Sequence, residues 1–277
     1  MFYPEQTWEQ TITQKISNQS FNGKAGIDFK ASKRAKFGLG YATNFVNPSF
    51  PDEIQTTIYG KTRQVDSVLT TSSFTNWNKT YHDVNLHAEI YLDSLNKKVT
   101  LDGSWFNFED RQDRNFVNER YYSHGGLIPG SLTNSRSVSG QNIDIYSLKV
   151  DAELPFKKFT LSTGGKLNIT YNNSDVALFQ IEHKEQKIDA ANSNIFNYRE
   201  IIQALYLQAH KEYKSWAFQI GMRGEKTQAK GISVVADKAQ PYNYYRLFPT
   251  FFVSYATNEK NTFTVNYSRR INRPGYK

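Results

Sequence analysis

The 277-residue chain contains no cysteine, which removes disulfide frameworks, zinc ribbons, thiol nucleophiles and dithiol redox sites together. Long apolar runs are missing too. The most apolar stretch, 247–256, is interrupted by Pro249, Thr250 and Ser254, whereas a spanning helix needs roughly 20 consecutive apolar residues. No membrane helix is encoded. Basic clusters are equally absent: 34 Lys and Arg against 26 Asp and Glu give a net charge of +8, yet the longest basic runs are pairs such as Lys97-Lys98, Lys157-Lys158 and Arg269-Arg270. Arms that bind nucleic acid carry roughly five to eight basic residues in a row, so no nucleic-acid partner is expected. Residues 1–6 show neither a basic nor an apolar segment, and any secretory leader is expected outside this sequence.

What the chain has in quantity is rings: 19 Phe, 18 Tyr and 4 Trp, at a mean hydropathy of only −0.65. That many rings with a charged fraction of 22% does not fit a disordered chain. Apolar residues recur with the strand period of two. Val84, Leu86, Ala88, Ile90 and Leu92 alternate with Asn85, His87, Glu89 and Tyr91. Leu148, Val150, Ala152 and Leu154 do the same against Lys149, Asp151 and Glu153, as do Trp216, Phe218, Ile220 and Met222 against Ala217, Gln219 and Gly221. Such stretches read as strands with one apolar and one polar face. Ten follow, at 20–31, 36–46, 82–93, 98–109, 143–155, 158–171, 200–212, 215–227, 246–256 and 261–271.

The connections alternate between short ones (32–35, 94–97, 156–157, 213–214, 257–260) and long ones (47–81, 110–142, 172–199, 228–245). A transmembrane β-barrel has this rhythm, with tight periplasmic turns and long extracellular loops. Phe29 and Phe37, Phe156 and Phe159, Tyr213 and Trp216, and Tyr255 and Phe263 flank the short turns, as an aromatic girdle at the inner interface requires. The fold expected is all-β: an antiparallel transmembrane β-barrel segment of about ten strands in the cell outer membrane. With the first strand running towards a short turn and the last away from one, both ends of the sequence fall outside the cell. The whole of 1–277 is therefore expected to be a single partial barrel domain within a larger barrel.

Near the carboxyl end the sequence reads Tyr245-Arg246-Leu247-Phe248-Pro249-Thr250, then Val253-Ser254-Tyr255, then Tyr267-Ser268-Arg269-Arg270-Ile271-Asn272-Arg273-Pro274-Gly275-Tyr276. These segments resemble the barrel of TonB-dependent outer-membrane receptors of the Bacteroidetes type, the outer membrane protein β-barrel family. Gly221-Met222-Arg223-Gly224-Glu225-Lys226-Thr227 and Ala25-Gly26-Ile27-Asp28 resemble further strands of it. The resemblance covers most of the chain from Phe21 onward. It implies a 22-stranded barrel around an amino-terminal plug, importing a nutrient with energy delivered by TonB, with a surface lipoprotein as a possible further partner. The sequence departs from that pattern in showing no plug and no TonB box.

No catalytic set, metal site or cofactor is expected. His82 and His87 lie on opposite faces of one strand, and His124, His183 and His210 are isolated. Gly38-Leu39-Gly40 lacks the third glycine and the helix of a dinucleotide site. Glu109, Asp110 and Asp113 read as ion-pairing with Arg111 and Arg114 in a charged loop rather than as calcium ligands. Lys149, Asp151, Glu153, Lys166, Arg223 and Arg270 have the polar parity of their strands and are the candidate lumen residues, facing cargo or plug or pairing across the wall. Arg269, of opposite parity, is the candidate contact for lipopolysaccharide phosphate. Tyr121, Tyr122, Tyr242, Tyr244 and Tyr245 fall in long loops, where two readings stand open: stacking on a sugar or ring-bearing ligand, or covering apolar loop surface. Two other functions remain at this point, a secreted or periplasmic β-sandwich that binds carbohydrate and a small stand-alone barrel acting as channel or adhesin.

Overall fold

A computed structural model describes residues 6–93, 96–235 and 238–271. It holds twelve strands: β1 (Thr7–Gln14), β2 (Ser17–Lys30), β3 (Ala35–Tyr59), β4 (Val65–Tyr91), β5 (Lys98–Tyr122), β6 (Thr133–Pro155), β7 (Thr160–Glu182), β8 (Glu185–Ile188), β9 (Asn194–Tyr213), β10 (Trp216–Ser233), β11 (Lys238–Asn258) and β12 (Asn261–Ser268). All belong to one antiparallel sheet, and no helix occurs among the described residues. β1 and β2 both pair with β3 in one register, from Thr7 opposite Tyr59 to Lys30 opposite Lys36. They are one strand broken at Lys15 and Ile16. β8 is a short flap on β7, reached through a two-residue turn in which His183 and Lys184 both have positive φ. The rest is a ten-strand meander in which each strand pairs with the next. With a single layer, a β-sandwich is excluded.

The four segments read from the sequence as long loops are mostly ladder. β3 and β4 stay paired up to Tyr59 opposite Val65, with the chain reversing at 60–64. β5 and β6 stay paired up to Asn118 opposite Thr133, β7 and β9 up to Val176 opposite Asn194, and β10 and β11 up to Ser233 opposite Lys238. The physical reason is that a hairpin standing in water needs no apolar face. The alternation stops at Thr70-Thr71-Ser72-Ser73, but the backbone ladder does not. At roughly 3.3 Å per residue, the 25 residues of β3 reach about 80 Å, against roughly 30 Å of hydrocarbon. The first strand accordingly begins at Thr7 rather than near 20, and the last ends at Ser268 rather than 271. Ser94 and Leu95 of one short turn, and the Asn272-Arg273-Pro274-Gly275-Tyr276 part of the carboxyl-terminal motif, lie outside the described residues.

The two faces of the sheet differ sharply. One carries Ile27, Leu39, Leu86, Leu101, Leu148, Leu205, Ile220, Leu247 and Val265, all exposed. The other carries nearly all the buried side chains, including Asp52, Ser67, Thr75, Glu200, Glu225 and Thr227. In a single layer, side chains become buried only where the sheet curves round on them. The polar face is therefore concave and the apolar face convex, as a barrel wall requires.

Candidate functional site: the charged concave wall

Cross-strand partners in an antiparallel ladder point to the same side, so residues from distant parts of the sequence form rows across the concave face. One row runs Arg223, Tyr206, Gly164, Asp151, Thr100, Glu89, Lys36. The next runs Glu225, Ala204, Lys166, Lys149, Asp102, His87. Within these rows and between them and the neighbouring row of Lys98 and Glu153, opposite charges meet. Lys36 pairs with Glu89 at 3.0 Å, Lys98 lies 3.8 Å from Glu89 and 3.4 Å from Glu153, and His87 Nδ1 lies 2.6 Å from Asp102. Asp151 takes a salt bridge from Lys149 and a hydrogen bond from the Tyr206 hydroxyl. Arg223 lies 5.5 Å from the centre of the Tyr206 ring and donates from Nε to Glu225 at 2.7 Å.

Tyr206 reaches Asp151 across an intervening strand because that strand has a glycine beneath it. A Cβ on Gly164 would sit 2.7 Å from Tyr206 Oη, 2.7 Å from Asp151 Oδ1 and 2.5 Å from the carbonyl of Val150. A strand-interior glycine commonly marks such a close approach.

Lys149, Asp151, Glu153, Lys166 and Arg223 thus share the concave face, as their parity implies. Lys149 and Lys166 stand opposite each other, and with Lys149 bridged to Asp151 it is the Lys166 ammonium that adds positive charge to the interior face. Arg270 is not among them: β12 stops at Ser268, and both arginines lie exposed beyond it. The ladder ends there because the Arg269 N–H, at 3.3 Å, meets the carbonyl of Pro249, a residue that has no N–H to return. The charged loop at 109–114 is instead part of β5, and its groups pair with other strands rather than with each other. Asp110 accepts from Trp77 Nε1 at 2.6 Å, Arg114 reaches Asp52 at 2.8 Å, and Arg136 holds Asp113. Among the described residues no three His, Cys, Asp or Glu side chains gather as a metal cage.

The five tyrosines proposed for ligand stacking sit on strands, not in loops, and the structure does not bring them together. Tyr121 and Tyr122 end β5, where Tyr122 stacks on His124 at 5.2 Å. Tyr121 donates to Glu119 at 3.0 Å, a bond that holds its phenol above the ordinary range. Tyr242, Tyr244 and Tyr245 are on β11, five ladder steps away, or about 24 Å at roughly 4.8 Å per step. Tyr245 is 72% exposed on the convex side, while Tyr242 and Tyr244 have concave parity.

The eight rings beside the short turns gather at one rim. Phe29 faces Phe37, Phe156 and Phe159 lie 5.1 Å apart, Trp216 faces Tyr213 and packs on Tyr255 at 4.4 Å, and Tyr255 faces Phe263. Further from the short turns, four residues beyond Phe37 at Tyr41 and ten beyond Tyr255 at Tyr245, is a second set that the sequence reading missed: Tyr41 with His82, Trp105, Tyr146, Tyr171 and Tyr245, all of convex parity. Its signal was present in the same alternation, as rings continuing the apolar parity. Tyr41 Oη and His82 Nδ1 lie 2.7 Å apart, and the Trp105 Nε1–H donates to Asp144 at 3.2 Å.

A sequence model of the outer membrane protein beta-barrel family matches residues 91–277. No curated protein matches the chain at a significant level. Among solved structures, the chain is similar to the ferric citrate transporter FecA (12% identity, TM-score 0.41, covering 94% of this chain and 43% of that one). It is also similar to the siderophore receptor PiuA from Acinetobacter baumannii (8%, TM-score 0.47, 94% and 48%). A third is the ferric yersiniabactin uptake receptor FyuA from Yersinia pestis (9%, TM-score 0.44, 93% and 46%). The chain spans a little under half the length of each of these proteins.

Proposed function

The chain belongs to the outer membrane protein beta-barrel family, residing in the outer membrane, and from that premise we propose that it forms part of the wall of a TonB-dependent nutrient importer. The observation that carries this reading is the pairing of an exposed apolar convex face with a concave face of interlocked charges, Lys36 to Glu153 and Lys149 to Arg223. A water-facing interior of that kind suits a passage for polar cargo around a plug domain. β1–β2 and β12, the two edges of the described sheet, do not pair with each other. An unpaired edge in lipid costs several kcal/mol per unsatisfied group, so further strands complete the wall in the working protein. The wall has no chemical step to perform: Lys149, Asp151 and Glu153 hold the plug and line the passage. A surface lipoprotein and TonB itself are partners of the assembled importer.

The test compares two strains, one lacking this protein and one lacking TonB, on media supplying iron chelates, cobalamin or oligosaccharides as sole sources. Loss of growth on the same source in both strains is expected. Undiminished growth of the first strain on every source, or uptake that persists without TonB, overturns the reading.

A further inference from the structure

The convex face of β6, β7, β9, β10 and β11 is not uniformly apolar. It holds a groove of about 660 Å³, floored by Gly165 and Gly224 and walled by Leu148, Leu167, Leu205 and Leu247. The glycines create it: a Cβ on Gly165 would already press on Leu205 at 3.2 Å. Two residues up β10, Lys226 closes the outer end, with Nζ 5.6 Å from the centre of the Tyr245 ring. Four residues further is Lys230, directly opposite Arg199, whose guanidinium lies 5.5 Å from the centre of Tyr171. Lys226, Lys230 and Arg199 all have the convex parity, level with the outer ring of aromatics.

Among the described residues no salt bridge joins a carboxylate to any of these three cations. Glu200 and Glu225 have the opposite parity, and Glu225 is engaged by Arg223. Asp144, in the same row beyond Tyr171, is occupied by Trp105 and Asn107 at 3.2 and 3.0 Å. Three cations with no such bridge therefore sit at the headgroup level, directly above a groove shaped for a hydrocarbon chain. One molecule satisfies both: an anionic lipid whose headgroup carries phosphate, the oxyanion that Arg and Lys bind best.

We propose that this face is a binding site for a phosphate-bearing lipid of the outer leaflet, with an acyl chain over Gly165 and Gly224 and the phosphate against Lys226, Lys230 and Arg199. The site is independent of import, so its failure leaves the growth assays above untouched.

The test uses the whole protein in detergent, with lipid A and the same lipid after phosphatase treatment as probes, read by native mass spectrometry. The parent is expected to prefer the phosphorylated lipid. Replacing Lys226, Lys230 and Arg199 together by Gln removes about 100-fold in affinity, on the basis of a roughly fivefold contribution per basic residue near a membrane surface. The charge-keeping set Lys226→Arg, Lys230→Arg and Arg199→Lys retains binding. Equal binding of the two lipids by the parent, displacement of lipid by millimolar inorganic phosphate, undiminished binding in the triple Gln variant, or an equal loss in Arg269→Gln overturns the proposal. If the triple variant does not fold, the parent's choice between the two lipids decides.

Discussion

Arg136 of β6 grips Asp113 of β5 through two hydrogen bonds, Nε to Oδ1 at 2.9 Å and Nη2 to Oδ2 at 2.6 Å, although the two residues stand diagonally rather than opposite in the ladder. On the other face of the same hairpins Arg114 joins Asp52 at 2.8 Å, and Ser73 donates to that carboxylate at 2.5 Å. Hairpins that rise out of the membrane without an apolar core are thus stitched by charge on both sides.

The Asp113 pair predicts an acid-sensitive hairpin. The Arg136 hydrogen bonds hold the Asp113 carboxyl below its ordinary value of 3.8. A depressed carboxyl contributes stability above its unfolded value and loses it as pH falls through the folded one. Thermal unfolding of the parent and of Asp113→Asn is therefore expected to differ at neutral pH and to converge only as the pH falls below the ordinary carboxyl value. A gap that stays constant down to pH 2 would contradict the assignment.

Gly164 and Gly40 predict opposite outcomes for one kind of change. A Cβ at Gly164 meets a backbone carbonyl at 2.5 Å as well as the Tyr206–Asp151 contact, whereas at Gly40 it meets nothing within 4 Å. Gly164→Ala is expected to cost about 1–3 kcal/mol through overpacking and to release Tyr206. Gly40→Ala is expected to be neutral. Heat-modifiable gel migration reads the difference, and equal behaviour of the two variants would refute the row geometry.

Three of the four tryptophans predict a depth profile. Trp216 lies in the inner ring of aromatics and Trp105 in the outer one, while Trp77 donates to Asp110 on the concave side of a projecting hairpin. In single-Trp variants, lipids brominated near the headgroup are expected to quench Trp216 and Trp105 but not Trp77. Strong quenching of Trp77 would move the membrane boundary.

How much of this was visible in the sequence depends on what the environment demanded. Leu148, Val150 and Ala152 against Lys149 and Asp151 announce a strand because lipid requires one apolar face. Thr70 to Ser73 announce nothing, since water accepts either face, and the tall hairpins were therefore read as loops. Which charges meet across strands was hidden as well, because register couples residues as far apart as Tyr206 and Asp151, and Gly164 was the one local sign. Lys226 was legible in principle: it continues the parity of Trp216, Phe218, Ile220 and Met222, a cation placed where the apolar pattern leads.

The sharpest test of the two-faced wall is a pair of adjacent residues on β10. Ile220 is 64% exposed on the convex side, four residues above Trp216. At roughly 3.3 Å per residue and a tilt of about 40°, that places it about 10 Å into the apolar band, close to the midplane. Gln219, one residue earlier, points to the concave interior with Ala217 and Gly221. Ile220→Lys is expected to destabilise the folded protein by about 2–4 kcal/mol, since the ammonium must enter hydrocarbon or distort the bilayer to avoid it. Gln219→Lys exchanges one water-facing polar group for another and is expected to cost less than about 1 kcal/mol. Urea unfolding in lipid vesicles measures both. The asymmetry would vanish if both faces of β10 met water, and would reverse if the apolar face were turned inward, so either result would undo the assignment of the convex side to lipid.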